Sequence, residues 1–294
     1  MKLTSLQVRL LGMFAVLVLL NALVLSTYEQ NDINYTEEIE KGNDILERSH
    51  DIKRLLVPIS EISSSDILID ISQNATRHIR GSSVIPYTNF TEDGGFPKPW
   101  PEMANILGAA GISPNDKVVI YGECMPCGGG PAPATYVYWI MKSLGHKNVR
   151  VLDGNIEDWV AAGLPTSNES KVRPSTNYIP DYTLDFIGTY EYVKSGKAQL
   201  VDARKSNEFN VSSIPEAINI PYESVLDNHT IKNETALKNI FADLSKDKPV
   251  VAFTNTGIKA SVLWFALELM GYDSKLYAYQ DWLGGQTYEA NTSA

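Results

Sequence analysis

Short runs of β-branched and aliphatic residues alternate with longer stretches of helical apolar spacing, and the same succession is written twice. A strand-length run, ILIDI at residues 67–71, is followed by HIRGSSVIPY at residues 78–87. A second run, VVIY at residues 118–121, enters a glycine-rich loop, and apolar positions then recur at helical spacing over residues 134–144. Gly145 and His146 close the unit. In the later copy the corresponding pieces are QLVDA at residues 199–203, SIPEAINIPY at 213–222, VVAF at 250–253 and a helix over 260–270. Gly271 and Tyr272 end it. Short strands joined by connections long enough for crossovers predict two α/β domains, each with a mainly parallel sheet flanked by helices.

The copies differ in the loop between the last strand and its helix. The first reads GECMPCGGGPAP (residues 122–133) and holds both cysteines of the chain, Cys124 and Cys127; the second reads TNTGIK (residues 254–259) and holds none. A strand that turns tightly into a helix aims free backbone N–H groups and the positive helix end at one point. A thiol there has its thiolate stabilised and its nucleophilicity raised. Gly128, Gly129 and Gly130 favour Cys127, because they free the backbone to converge on its sulfur. The CMPC pair leaves further readings open: a structural disulfide between Cys124 and Cys127, or a dithiol in which Cys124 resolves what Cys127 has attacked. Half a zinc site lacks a second pair of ligands, and no arginine closes either loop into a phosphate clamp.

The order of LID, HIRGSSVIPY and VVIY-loop-ATYVYWIMKSLGHKNVRVLDGNIEDWVAAGLP, with VDAR, SIPEAINIPY and VVAFTNTGIKASVLWFALELMGY in the later copy, resembles the rhodanese family of sulfurtransferases. The resemblance implies two tandem rhodanese-like domains of the thiosulfate/3-mercaptopyruvate sulfurtransferase type. It covers residues 65–285, about three quarters of the chain. Tandem members usually carry their cysteine directly after the second-copy strand, a place held here by Thr254, so the later domain is expected to be silent for sulfur transfer. The implied reaction moves sulfane sulfur from a small sulfur-containing anion to a thiol or protein acceptor through a persulfide on Cys127, without cofactor or metal. Gly128, Gly129 and Gly130 would bind the substrate, and Asp70 and His78 would support the site. Asp202 and Arg204 lie at the matching place in the second copy. Lys259 in the silent loop could still bind an anion, although a solvent-facing lysine is the default reading. The competing classes are a catalytically silent binding module and a C-x-x-C thiol–disulfide oxidoreductase.

The remaining segments fix the domain plan. Residues 1–26 combine Lys2 and Arg9 with an apolar run at residues 10–25, which reads as a hydrophobic helix serving as signal anchor or signal peptide. A polar spacer follows at residues 27–64, then the cysteine-bearing domain at 65–166, a linker at 167–180, the cysteine-less domain at 181–286 and a polar, unstructured tail at 287–294. Eight Asn-x-Ser/Thr triplets, at Asn34, Asn74, Asn89, Asn168, Asn210, Asn228, Asn233 and Asn291, suit an exported glycoprotein, secreted or membrane-anchored and facing outward. A net charge of −10 argues against nucleic acid as a partner.

Overall fold

Fully buried, strand-length runs dictate the architecture. The computed structural model describes residues 55–124 and 129–292. The N-terminal apolar segment, most of the spacer, Cys127 and Gly128 therefore lie outside the described residues. The first half contains β1 (Leu56–Pro58), β2 (Ile67–Asp70), β3 (His78–Ile79), β4 (Ser83–Val84), α1 (Trp100–Ala109) and β5 (Val118–Tyr121). It continues with α2 (Ala132–Ser143), β6 (Val149–Asp153), α3 (Ile156–Ala161) and β7 (Thr166–Ser167). The second half contains α4 (Tyr190–Lys194), β8 (Gln199–Asp202), α5 (Ser206–Val211), β9 (Ile218–Asn219), β10 (Leu226–Asp227) and β11 (Thr230–Ile231). It ends with α6 (Glu234–Ile240), β12 (Val250–Thr254), α7 (Ala260–Leu269), β13 (Ser274–Ala278) and α8 (Tyr279–Thr292).

One sheet has the order β1-β6-β5-β2-β4 and the other β13-β12-β8-β9, with every neighbouring pair parallel. The central strands β5 and β12 are buried along their whole length, as a sheet covered on both faces requires. The order β6-β5-β2-β4 repeats as β13-β12-β8-β9, so the written repeat is also a structural one.

Two boundaries differ from those expected. The edge strand β1 falls inside the segment assigned to the spacer, because a three-residue strand with only Val57 buried carries no periodicity to read. The tail expected to be unstructured over residues 287–294 is helical through Thr292. Tertiary contact explains this: Trp282 packs on Tyr190 with ring centroids 5.3 Å apart, and Lys194 pairs with Glu289. No helix among the described residues is long and apolar enough to cross a membrane.

The halves lie within one compact unit, and their contact joins equivalent positions. Thr135 on α2 and Ser261 on α7, 126 residues apart, share a hydrogen bond of 2.7 Å between hydroxyls. Tyr138 and Trp264, separated by the same 126 residues, meet at 5.9 Å. Each hydroxyl also lies within reach of a carbonyl at its own helix start, Ala132 for Thr135 and Ile258 for Ser261, so the hydroxyl that accepts from its partner donates there. Equivalent residues touching one another mark an isologous contact about a pseudo-two-fold axis.

The linker is strapped to the first half. The Thr176 N–H donates to the Gly108 carbonyl, and the Asp181 N–H donates to that of Leu144. Gly145 makes this approach possible, since a Cβ there would lie 2.2 Å from the Asp181 oxygen. Tyr178 stacks on buried His146, whose Nε2 lies 2.8 Å from the Asp116 carbonyl and Nδ1 3.1 Å from the Tyr178 hydroxyl. A carbonyl can only accept, so Nε2 carries the proton and Nδ1 accepts from the tyrosine. Burial lowers the His146 pKa below its usual 6.5, so below that pH the unfolded chain binds a proton that the folded chain refuses. Stability should therefore fall as pH drops below about 6.5, by up to about 1.4 kcal/mol per pH unit from this group until its folded pKa is reached. Urea unfolding at pH 7.5 and 5.5 should show a smaller loss on acidification in His146→Gln than in the parent. An equal loss in both would mean that His146 does not set this dependence.

Candidate active site

In both copies an aspartate at the strand end anchors the first residue of the motif that follows. Asp70 Oδ2 lies 2.8 Å from His78 Nδ1, both buried, and Asp70 Oδ1 accepts the Ser72 N–H. In the second half Ser213 donates to Asp202 Oδ2 at 2.7 Å, and Arg204 adds a two-point ion pair from Nε and a terminal nitrogen. Arg204 also donates to the Ser212 carbonyl and lies over the Tyr279 ring at 4.1 Å. Hydrogen bonding to Asp202 raises its pKa further. Asp70 and His78 thus tie the strand end to the motif in the first copy, as Asp202, Ser213 and Arg204 do in the second. Arg77 is held instead by Glu157 on the surface.

The first-copy loop leaves β5 through Gly122, whose φ of 133° and close approach to Ser72 exclude a side chain. Cys124 follows. It is 2% exposed, belongs to the hydrophobic core, and lies 3.6 Å from the donating Tyr87 hydroxyl. Cys124 is disulfide-bonded. The only other cysteine of the chain, Cys127, lies outside the described residues.

Two of the three glycines expected to bind substrate spend their N–H groups inside the loop. The Gly129 N–H donates to the Cys124 carbonyl at 3.0 Å, and the Gly130 N–H donates to Glu123 Oε1 at 3.1 Å. Glu123 uses its other oxygen to accept from Asn155, the N-cap of α3, at 3.3 Å. Both described glycines are thus committed to the loop's own shape, with φ near +80° that only glycine adopts readily. Gly128 lies outside the described residues.

A cavity of about 290 Å³ opens between the halves. The first half contributes Tyr87, Cys124, Gly129, Ala132 and Pro133 to its wall. The second half contributes the loop residues Thr254, Asn255, Thr256, Ile258 and Lys259, along with Arg204, Lys205, Glu208 and Tyr222. Thr254 is buried, and its Oγ1 accepts the Ala260 N–H at 3.3 Å. The tyrosines that end the repeated IPY triplets, Tyr87 and Tyr222, both face this space. Burial raises the pKa of each, Tyr222 to about 12 with the Glu223 charge adding to the effect.

The model of the rhodanese-like domain matches residues 58–162 and 189–281. The chain belongs to the rhodanese-like family. A relative from Mycobacterium leprae named "Putative thiosulfate sulfurtransferase" is 32% identical over 197 residues, 59% of this chain and 69% of that protein. A Haloferax volcanii protein of the same name is 30% identical over 196 residues, 59% of this chain and 67% of its own length. Among solved structures, the Escherichia coli protein SseA, described with the 3-mercaptopyruvate sulfurtransferases, aligns with a TM-score of 0.64 at 19% identity. That alignment covers 76% of this chain and 97% of SseA. Tum1 of Saccharomyces cerevisiae aligns with a TM-score of 0.65 at 19% identity, over 78% of this chain and 95% of its own. These structural likenesses carry the rhodanese fold. The sulfurtransferase expected from the motifs agrees with the names of the sequence relatives.

Within this rhodanese-like frame the structure unites Cys124 with the cysteine-less second loop, which the sequence pattern did not join. Glu123, Tyr87 and Tyr222 escaped notice as site residues, although the repetition of IPY marked the two tyrosines. The Glu123 carboxylate is the tie that holds the glycine turn. Glu123→Ala should destabilise the protein by about 1–2 kcal/mol and expose the 122–131 loop to proteolysis, because two donors lose their acceptor. Thermal melting and limited proteolysis would check this, and an unchanged cleavage rate would contradict it.

Proposed function

We propose that this chain is a rhodanese-type sulfurtransferase whose sulfur chemistry belongs to the CMPC loop of the first half. The observation that carries the reading is Cys124 in the wall of a cavity lined by several cationic side chains between two rhodanese-like halves. Cys124 is too buried to meet a substrate in bulk solvent, so Cys127 is the attacking thiol and Cys124 the resolving one. The reaction begins from the dithiol, reached when an external thiol pair gives two electrons to the disulfide and leaves as a disulfide itself. The Cys127 thiolate attacks the outer sulfur of thiosulfate. The donor's S–S bond breaks, sulfite departs with the electron pair, and a persulfide remains. An acceptor thiolate takes the outer sulfur and returns the Cys127 thiolate. A 3-mercaptopyruvate-type donor would enter the same scheme with pyruvate as the leaving product.

The disulfide at Cys124 favours a second reading, thiol–disulfide exchange without sulfur transfer. The same bond, with the seven described sequon asparagines all exposed, supports an extracytoplasmic place for the protein, secreted or held by its N-terminal segment. A mobility shift on endoglycosidase treatment would test that placement; its absence from protein made in its native cell would count against a glycosylated, exported chain.

Reduced protein should transfer sulfur from thiosulfate or 3-mercaptopyruvate, and Cys127→Ser should abolish that turnover. Cys124→Ser should still accept one sulfur atom, visible by mass spectrometry, but retain the Cys127 persulfide longer, because no neighbour can displace the sulfur. Its stability should fall by about 2 kcal/mol in the chain-entropy account of so short a cross-link. Thiol–disulfide exchange without any persulfide adduct would replace the sulfurtransferase reading with the second one.

A further inference from the structure

Cys124 and the open backbone donors of the 254–259 loop reach one cavity from opposite sides of the pseudo-two-fold axis. We propose that the cysteine-less half is the recognition half, in which Lys259 and the 254–259 loop hold the charged head of a small anionic sulfur donor in the cavity that Cys124 faces. The identity of the donor rests on the sulfurtransferase reading; the binding of an anion does not.

The charges around the cavity single out Lys259. Arg204 is committed to Asp202, and Lys205 lies 3.6 Å from Glu223. Glu208 accepts from Asn255 at 3.3 Å. Lys259 is half-buried, lies 5.2 Å from the centre of the Tyr222 ring, and has no carboxylate within ion-pair distance among the described residues. An unpaired cation that has lost part of its water is stabilised by an incoming anion more than an exposed lysine would be.

The backbone separates the two loops in the same way. In the first loop the Gly129 and Gly130 N–H groups bond inside the loop. In the second, the N–H groups of Thr256, Gly257, Ile258 and Lys259 have no protein acceptor among the described residues. Thr254 accepts the Ala260 N–H and keeps its own hydroxyl hydrogen at the cavity wall without an acceptor. Counted back from the equivalent hydroxyls of Thr135 and Ser261, Lys259 occupies the position held by Pro133 in the first half. Proline has neither a charge nor an N–H, so the recognition chemistry cannot be duplicated there. The IPY tyrosines follow this division: Tyr87 meets the Cys124 sulfur, and Tyr222 lies under the Lys259 ammonium.

Isothermal titration of thiosulfate into the oxidised full-length protein tests the inference, because the disulfide form has no thiolate to turn the donor over. Lys259→Gln should weaken binding about tenfold, the order expected when a hydrogen-bonded charge is removed, whereas Lys259→Arg should stay within about twofold. Lys238→Gln removes the same charge from a surface pair with Glu234 outside the cavity and should leave binding unchanged. In the reduced protein, Lys259→Gln should raise KM for thiosulfate by a similar factor with little change in kcat. Equal affinity of Lys259→Gln and the parent, or no thiosulfate binding by the parent, would overturn the inference even if sulfur transfer occurs. Lysine-dependent binding without any sulfur transfer would instead remove the sulfurtransferase reading and leave the recognition site standing.

Discussion

Everything at the candidate site depends on the packing of α2 against α7. These helices start where the two strand-to-helix loops end, so bringing Thr135 onto Ser261 also brings the loops to a common cavity. Much of the contact is apolar, with Tyr138 against Trp264 and Phe265, and the hydroxyl pair fixes its register. The buried hydroxyls are satisfied by each other and by carbonyls one turn back. Replacement of one partner would leave the other only its helix-start carbonyl and remove the polar tie across the interface. The core is correspondingly continuous across the halves, running from Ile69 and Val137 to Trp264 and Leu276.

The repeat was legible because its signals are local. ILID, VVIY, QLVD and VVAF are runs whose polar residues stand only at their ends, and the structure places each on a strand. Trp139, Trp159 and Trp282, set among apolar neighbours in the sequence, are buried as well. The misread pieces depend on distant partners. β1 exists because Leu56 and Val57 find Val151 and Leu152 on β6, and the end of α8 because Tyr190 and Lys194 lie beside it. Neither partner can be inferred from a window around the element itself.

The glycine loop shows the same limit in its chemistry. Three consecutive glycines after a cysteine suggest N–H groups free to converge on sulfur, and composition alone cannot say what those groups already bind. Glu123 decides the matter from seven residues away, by accepting the Gly130 N–H while Asn155 secures its other oxygen. Asn155 in turn caps α3 through a reciprocal box with Asp158. The loop thus takes its shape from a helix cap on the surface of the first half. Glycine composition points to free N–H groups, and the hydrogen bonds of Gly129 and Gly130 engage theirs within the loop.

Thr254 brings the two loops into one account. A cysteine at that place would put its sulfur within reach of the Ala260 N–H and at the edge of a turn with unengaged donors. Threonine puts an oxygen there that accepts the same N–H, so the turn keeps its geometry while the nucleophile is absent. If the second half were only a scaffold, nothing would demand that the donors stay open or that a lysine stand at the start of α7. Both are retained, and both face the cavity that receives Cys124. The asymmetry is therefore one of chemistry: the first loop carries the Cys124 sulfur and engages its Gly129 and Gly130 N–H groups, and the second carries no sulfur and a turn with open donors. Among the described residues, sulfur and open donors lie on different loops, so a reaction that draws on both would be shared across the α2–α7 contact.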